Sequence, residues 1–225
     1  MNRCLLTAFL ASLFLVSGIA HAEKQPQTEN EKFSYAVGVQ LGQNVVHQAI
    51  KIDNESFLQG ISDTINQQGL KLSLEEMQQA LVKYRDEEIK RQEQAAIDNK
   101  KAGEEFLSEN KKDKDVVELA SGLQYKIIKQ GDGEKPKLAD NITVHYRGTL
   151  INGTEFDSSY KRGKPVSLKL ANVIKGWQEA LPLMPVGSKW RLFIPPDLAY
   201  GDKAAGPDIG PNSTLLFDIE LLSIN

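Results

Sequence analysis

Apolar residues recur every three or four positions in the first half of the chain and at every second position through much of the second half. The first rhythm predicts helices and the second predicts strands. Thr28-Glu29-Asn30-Glu31 has the pattern of a capping box, and Phe33, Val37, Leu41 and Val45 follow at helical spacing. Gly38 and Gly42 fall on nearly the same side of that helix. Asp53 is placed to cap a second helix carrying Phe57, Ile61 and Ile65 and stopping by Gly69. Ser73-Leu74-Glu75-Glu76 is another capping box, and it opens a run without proline until Pro136. Leu74, Met77, Leu81 and Tyr84 give the start of that run an apolar stripe. Beyond Ile89 the stripe fades into charged and amide residues, with Ile97, Phe106 and Leu107 scattered among them. Asp86–Lys90 and Glu87–Arg91 stand at i,i+4 spacing, which supports an exposed helix. A helix that is polar all round bridges between domains through solvent. Two readings stay open for this stretch. One is a spanning helix about 54 Å long from Leu74 to Glu109, bent or frayed at Gly103; the other is a disordered charged linker.

After Val117 the period changes. Leu123–Ile128, Asn141–Leu150, Val166–Leu170, Lys189–Ile194 and Thr214–Ile224 read as strands, with turn signals at Gly131-Asp132-Gly133 and Asn152-Gly153. Val173–Leu181 reads as one short helix with Ile174 and Trp177 on one side. Five strands and a short helix make an antiparallel α+β domain.

Composition adds three constraints. Arg3, the apolar run Cys4–Ile19 and the small residues of Ala20-His21-Ala22 form a secretory leader, with cleavage expected after Ala22. Cys4 leaves with it, so the mature chain has no thiol and no disulfide, and its stability must come from a core or from oligomerisation. A formal net charge of −3 gives no reason to expect nucleic acid as a partner, and three histidines are too few to suggest a metal site. The N-terminal helices hold too little material for a self-sufficient core. Phe33, Val37, Leu41, Phe57, Ile61 and Tyr84 need a partner surface, and a homodimer through these helices is expected, with an intramolecular three-helix bundle as the alternative.

No nucleophile–base arrangement, phosphate-cradling loop or metal-ligand spacing is present in the sequence. His145 and Tyr146 alternate on a strand and so point to opposite faces, the histidine outward. Asp157 has no acidic partner in view, which argues against glycosidase chemistry. What stands out is an apolar and aromatic set: Tyr146, Phe156, Val166, Leu168, Val173, Ile174, Trp177, Tyr200, Ile209 and Phe217. By periodicity alone this set is simply the core of a small sheet domain.

The order of the motifs says more. Gly131-Asp132-Gly133, Val144-His145-Tyr146-Arg147-Gly148, Phe156-Asp157-Ser158-Ser159, Val173-Ile174-Lys175-Gly176-Trp177, Leu198-Ala199-Tyr200-Gly201 and Leu216–Leu222 occur in the sequence order of the FKBP-type peptidyl-prolyl isomerases, and the chain from about Gly122 to Ile224 resembles that family. The whole chain is similar to the macrophage infectivity potentiator group of Gram-negative bacteria within it. The resemblance implies a leader at 1–22, a helical dimerisation domain at 23–72, a long connecting helix at 73–117 and an isomerase domain at 118–225, in which a half-wrapped antiparallel sheet packs on a short helix. It places the protein in the periplasm, the outer membrane or the cell surface, with proline-containing and unfolded exported polypeptides as clients, macrolides as inhibitors, and a role in infection. It implies a shallow pocket with Trp177 as floor, lined by Tyr146, Phe156, Val173, Ile174, Tyr200, Ile209 and Phe217. Asp157 and Tyr200 would add polar contacts, and the Ile174 backbone N–H would donate to a carbonyl of the bound peptide or inhibitor. Val166 and Leu168 stand where many members carry aromatics, and the segment between Leu170 and Val173 is shorter than usual, so the side wall should differ.

Isomerisation in such a pocket requires no metal, cofactor or covalent step. Asp157 is expected to orient Tyr146 or a substrate carbonyl rather than to act as a base. The competing reading is a dimeric clamp that holds unfolded clients, with isomerisation secondary.

Overall fold

The computed structural model describes residues 25–225; the leader expected at 1–22 lies outside them. Three helices come first: α1 (Glu29–His47), α2 (Asn54–Ile65) and α3 (Leu74–Asn110). Each begins where its cap dictates. The Thr28 hydroxyl accepts from Glu31 N–H at 3.2 Å, and the Glu31 carboxylate accepts from Thr28 N–H at 2.9 Å. Asp53 accepts from Ser56 N–H at 2.9 Å, and Ser73 and Glu76 close a reciprocal capping box at α3.

The chain divides into a unit ending at Gln43 and a unit running from Asn44 to the C-terminus. Helix α1 buries none of its residues; Phe33, Val37 and Leu41 are all exposed. In the second unit, α2 and the start of α3 enclose an open apolar groove of about 790 Å³ lined by Phe57, Ile61, Ile65, Met77, Leu81 and Tyr84. The Tyr84 hydroxyl accepts from Lys51 N–H at 3.1 Å and ties the α1–α2 connection to α3. No described helix is long and apolar enough to cross a membrane.

Helix α3 is one continuous run of 37 residues that passes through Gly103 without fraying. The expectation that its polar half is a solvent bridge is corrected here. Ala95, Ala96, Asn99, Ala102, Gly103, Phe106, Leu107 and Asn110 are the positions withdrawn from solvent, and they recur at three- and four-residue steps. This stripe docks on the sheet domain. The Phe106 and Phe193 rings lie 6.0 Å apart, and Asn110 donates to the Gln124 side chain at 2.8 Å. Gln124, fully buried, donates to the Leu107 carbonyl at 2.9 Å. The stripe escapes a hydropathy reading because most of it is small or amide residues, with only Phe106 and Leu107 large and apolar.

The sheet domain has seven antiparallel strands, not five: β1 (Val116–Glu118), β2 (Gln124–Lys129), β3 (Asn141–Leu150), β4 (Glu155–Ser158), β5 (Val166–Lys169), β6 (Lys189–Ile194) and β7 (Leu215–Ile224). Strands β1 and β4, three and four residues long, are too short to show a period in the sequence. Their order across the sheet is β1-β2-β6-β7-β3-β4, with β5 pairing the first half of β3. Along β3 the residues Ile142, Val144, Tyr146 and Gly148 are buried and those between them are not, as period-two alternation demands. The outer face carries ion pairs such as Lys189–Glu220 at 2.7 Å and Arg191–Asp218 at 2.6 Å. Against the inner face packs α4 (Lys175–Ala180), extended at both ends by single tight turns. Trp177, Ala180, Leu181 and Met184 close the core over Ile142, Val144, Leu192, Ile194, Phe217, Ile219 and Leu221. Gly176 makes that approach possible: a Cβ there would stand 2.6 Å from the Ile194 side chain.

Candidate functional site

A cavity of about 690 Å³ opens between α4 and the inner face of the sheet, a size suited to a small ligand or a short peptide segment. Its lining brings together Tyr146, Phe156, Asp157, Leu168, Val173, Ile174, Trp177, Tyr200, Ile209 and Phe217. Val166 does not reach it; it pairs with Val144 and packs on the core beside the cavity.

Trp177 forms the floor. It is 4% exposed, and the Tyr146 and Phe217 rings meet it edge-on at 5.3 and 5.2 Å. Its indole N–H is buried without a hydrogen-bond acceptor, so packing rather than a polar anchor fixes the ring. Phe156 continues the wall, its ring 5.5 Å from that of Phe217 at 80°. Gly148 makes room for this pair, since a Cβ at that position would come within 2.5 Å of the Phe156 ring and 2.8 Å of the Phe217 ring.

Phe156 and Asp157 are consecutive, and on a regular strand they would point to opposite faces. Both line the cavity because the β3–β4 pairing is broken by a bulge: Gly148 faces Asp157, while the next residue, Thr149, faces Glu155. The Phe156 wall and the Asp157 carboxylate therefore both depend on one irregularity.

That carboxylate is fully engaged. Asp157 accepts from the Tyr146 hydroxyl and from Arg162, and Arg162 donates in turn to the Tyr146 hydroxyl at 2.8 Å. The guanidinium also sits 5.5 Å from the centre of the Tyr146 ring. Burial works against ionisation of Asp157, but the bonds from Tyr146 and Arg162 and the arginine charge outweigh it and hold the carboxyl below its usual range. Burial and the bond to Asp157 push the Tyr146 hydroxyl above its usual range, so it stays a donor at neutral pH. A carboxylate fixed this way positions groups; it is poorly suited to take up a proton.

Two polar groups on the rim have no protein partner among the described residues: the Tyr200 hydroxyl, on a ring that is 45% exposed, and the backbone N–H of Ile174, which caps α4. The opposite wall is the segment Ala199–Ile209, with Ala205, Gly206, Pro207 and Asp208 lining the cavity beside Ile209. Sequence reasoning missed these residues and Arg162. A basic residue five positions after Asp157, across a turn, was the one available signal for Arg162. His145, expected on the surface, is half-buried: its Nδ1 lies 2.8 Å from Ser159 Oγ and its ring stacks on Tyr160 at 4.5 Å.

Comparison with known proteins identifies the family of both halves of the chain. Residues 132–222 match the family described as FKBP-type peptidyl-prolyl cis-trans isomerase, and residues 30–127 match the domain amino-terminal to it. The chain is 42% identical over 229 residues to "Outer membrane protein MIP" of Legionella longbeachae, covering 100% of this chain and 98% of that one. It is also 42% identical to "Peptidyl-prolyl cis-trans isomerase Mip" of Coxiella burnetii over 228 residues, covering 100% and 99%. Among solved structures, that of FkpA from Escherichia coli is similar at a TM-score of 0.63 and 38% identity, covering 88% of this chain and 98% of that one.

Proposed function

The chain belongs to the FKBP-type peptidyl-prolyl cis-trans isomerases and acts on proline-containing polypeptides, and from that premise we propose that the cavity over Trp177 is where the X–Pro bond turns. An X–Pro amide rotates slowly because resonance opposes twisting, with a barrier of about 18–20 kcal/mol. The planar amide is more polar than the twisted one. An apolar cavity floored by Trp177 and walled by Phe156, Ile174 and Phe217 therefore disfavours the ground state more than the transition state. The Ile174 N–H is placed to hold a substrate carbonyl, and the Tyr200 hydroxyl is placed to hold a second polar group of the peptide. Asp157, locked by Tyr146 and Arg162, keeps the wall in shape. The single observation that carries this reading is the convergence of ten residues from distant parts of the chain on one cavity, with the carboxylate beside its aromatic wall, Asp157, already paired with Arg162 and Tyr146. The test is isomerisation of a Leu-Pro tetrapeptide by the wild type and by Asp157→Leu and Tyr200→Phe. Both variants should be slower. Unchanged rates in both would refute the site.

The exposed apolar residues of α1 and the open α2–α3 groove favour the further proposal that the protein works as a homodimer through its N-terminal helices. Two pockets on one dimer would favour long unfolded clients by avidity. The leader-like N-terminus and a relative named an outer membrane protein support export to the cell envelope. Leu168 gives this side of the cavity an aliphatic wall, which would offer a bulky macrolide less contact than an aromatic ring there.

A further inference from the structure

The outer wall of the cavity has almost no regular structure of its own. Between Tyr200 and Thr214 it holds one β-bridge, in which Ala205 N–H donates to the Ile209 carbonyl at 2.8 Å, and a turn in which Lys203 N–H donates to the Tyr200 carbonyl at 3.3 Å. The two ends of this loop are drawn together by Asn212, whose N–H donates to the Gly201 carbonyl at 2.8 Å. Asn212 does so in the left-handed backbone region, at φ +56°.

Both Asn212 and its neighbours are held from outside the sheet domain, by α3. The Asn212 side-chain amide donates to the Ala96 carbonyl at 3.3 Å. Three residues further along the helix, Asn99 donates to the Pro211 carbonyl at 2.9 Å and lies 3.4 Å from Ser213 Oγ, which itself donates to the Gly210 carbonyl at 2.8 Å. The fit leaves no slack. A Cβ on Gly210 would stand 2.9 Å from Asn99 Nδ2, and a Cβ on Gly103 would stand 2.3 Å from Thr214 Oγ1. One face of α3 thus fixes the loop base at residues 210–214, while Tyr200 and residues 205–209 of the same loop form the cavity wall.

From this arrangement we infer that α3 is a working part of the isomerase pocket. Asn99 is a positioning residue: through Pro211 and Asn212 it holds Tyr200 and Ile209 at the separation that closes on a proline segment. The inference rests on the proposal that this cavity is the proline site. A loop of this length, tied internally by only a few bonds, samples open shapes unless something external selects one, and the population of the closed shape multiplies directly into apparent affinity. Losing the Asn99 bond should therefore raise the dissociation constant and leave the rate of the bound peptide almost untouched.

The test uses the full-length protein and a Leu-Pro tetrapeptide. Affinity is followed by titration, the rate is measured at saturation, and amide hydrogen exchange is followed at Asn212. Asn99→Asp keeps the side-chain shape but cannot donate to Pro211. Asn212→Gly keeps the left-handed backbone and removes the link to Ala96. Asn110→Ala is the control, because it removes an α3-to-sheet bond of 2.8 Å that does not involve the loop. Each of the first two variants is expected to raise the dissociation constant about three- to tenfold, the equivalent of one hydrogen bond. In both, the saturated rate should stay within about twofold. In Asn99→Asp the Asn212 amide should also exchange faster. The control is expected to melt earlier but bind as the wild type does. Wild-type affinity in both loop variants, or an equal loss in the control, would overturn the inference. A wild type that neither binds nor turns over the peptide would instead defeat the pocket assignment; unchanged Asn212 exchange in Asn99→Asp would then still overturn the clamp.

Discussion

Replacing Arg162 by Leu is the most informative single change to the site. Among the described residues the arginine is the only cation on Asp157, and it also donates to Tyr146 Oη at 2.8 Å. Direct contact between unit charges would be worth about 1 kcal/mol in bulk water and several times more at low effective dielectric. Here both side chains are about two-fifths exposed, 42% for Arg162 and 40% for Asp157, so the screened end of that range applies. The loss at pH 7 should be about 0.5–1 kcal/mol. Its pH dependence has a definite sign. Asp157 is held below its unfolded value, which lies near 3.9. Such a group contributes stability that is present above the unfolded pKa and is lost as the pH falls through the folded one. The gap between wild type and Arg162→Leu should therefore be constant from about pH 7 to about pH 5 and shrink towards zero as the pH falls below the unfolded value and through the depressed folded one. Urea melts at a series of pH values measure it directly. A loss above about 2 kcal/mol at neutrality would mean a desolvated pair, contrary to the exposure of both groups. An unchanged gap in strong acid would mean the arginine acts by packing alone, and either result refutes the account. Isomerisation at pH 7 should fall by no more than about fivefold, because Tyr146 still donates to Asp157.

Trp177→Ala should cost about 3–5 kcal/mol in a urea melt, since it empties the floor beneath Tyr146 and Phe217, and should abolish peptide turnover in the fraction that stays folded. Gly103→Ala adds about 1 kcal/mol of helix propensity, yet its Cβ would collide with the buried Thr214; thermal melting should show net destabilisation, and increased stability would contradict the docked arrangement of α3. Because the Tyr146 hydroxyl is held above its usual range, its bond to Asp157 stabilises the fold below about pH 10 and is lost as pH rises through the folded value; a Tyr146→Phe variant should lack this alkaline loss. Sedimentation equilibrium at micromolar concentration should give a dimer, and Phe33→Asp with Leu41→Asp should give a monomer that retains turnover of a short peptide.

The sheet domain was legible because its long strands are half-buried. In β3 and β7, ten residues each, alternation repeats often enough to be seen. Strand β4 is too short for that, and its bulge inverts the rule on which the reading depends, since Phe156 and Asp157 share a face only through the slip at Gly148. The pocket's inner residues were found through ordered motifs. Its outer wall, Ala205–Asp208, carries small or turn-forming residues whose role comes from the path of the backbone and not from their chemistry. Arg162 was missed for a different reason. Its partners lie five and sixteen residues away, and a lone exposed arginine after a turn looks the same with or without them.

Helix α3 shows where hydropathy fails in principle. A helix can dock in two ways: by burying large apolar side chains, which leaves a visible period, or by bringing its backbone close, which requires small residues and amides that satisfy the polar groups it covers. Residues 95–110 use the second way, with Phe106 as the one large anchor. Gly103 admits Thr214, Ala96 offers its carbonyl to Asn212, and Asn99 and Asn110 satisfy Pro211 and Gln124. None of these raises the apolar signal, so the same sixteen residues read as a solvated spacer. The distinction has a functional consequence. A spacer could be lengthened or shortened by whole turns without touching catalysis, whereas a docked helix fixes the register of Asn99 against the pocket loop. Inserting one helical turn before residue 90 should leave isomerisation of a short peptide unchanged; the same insertion between Asn99 and Gly103, which moves Asn99 away from Pro211 while the docked end of α3 keeps its place, should weaken peptide binding even though the helix stays continuous.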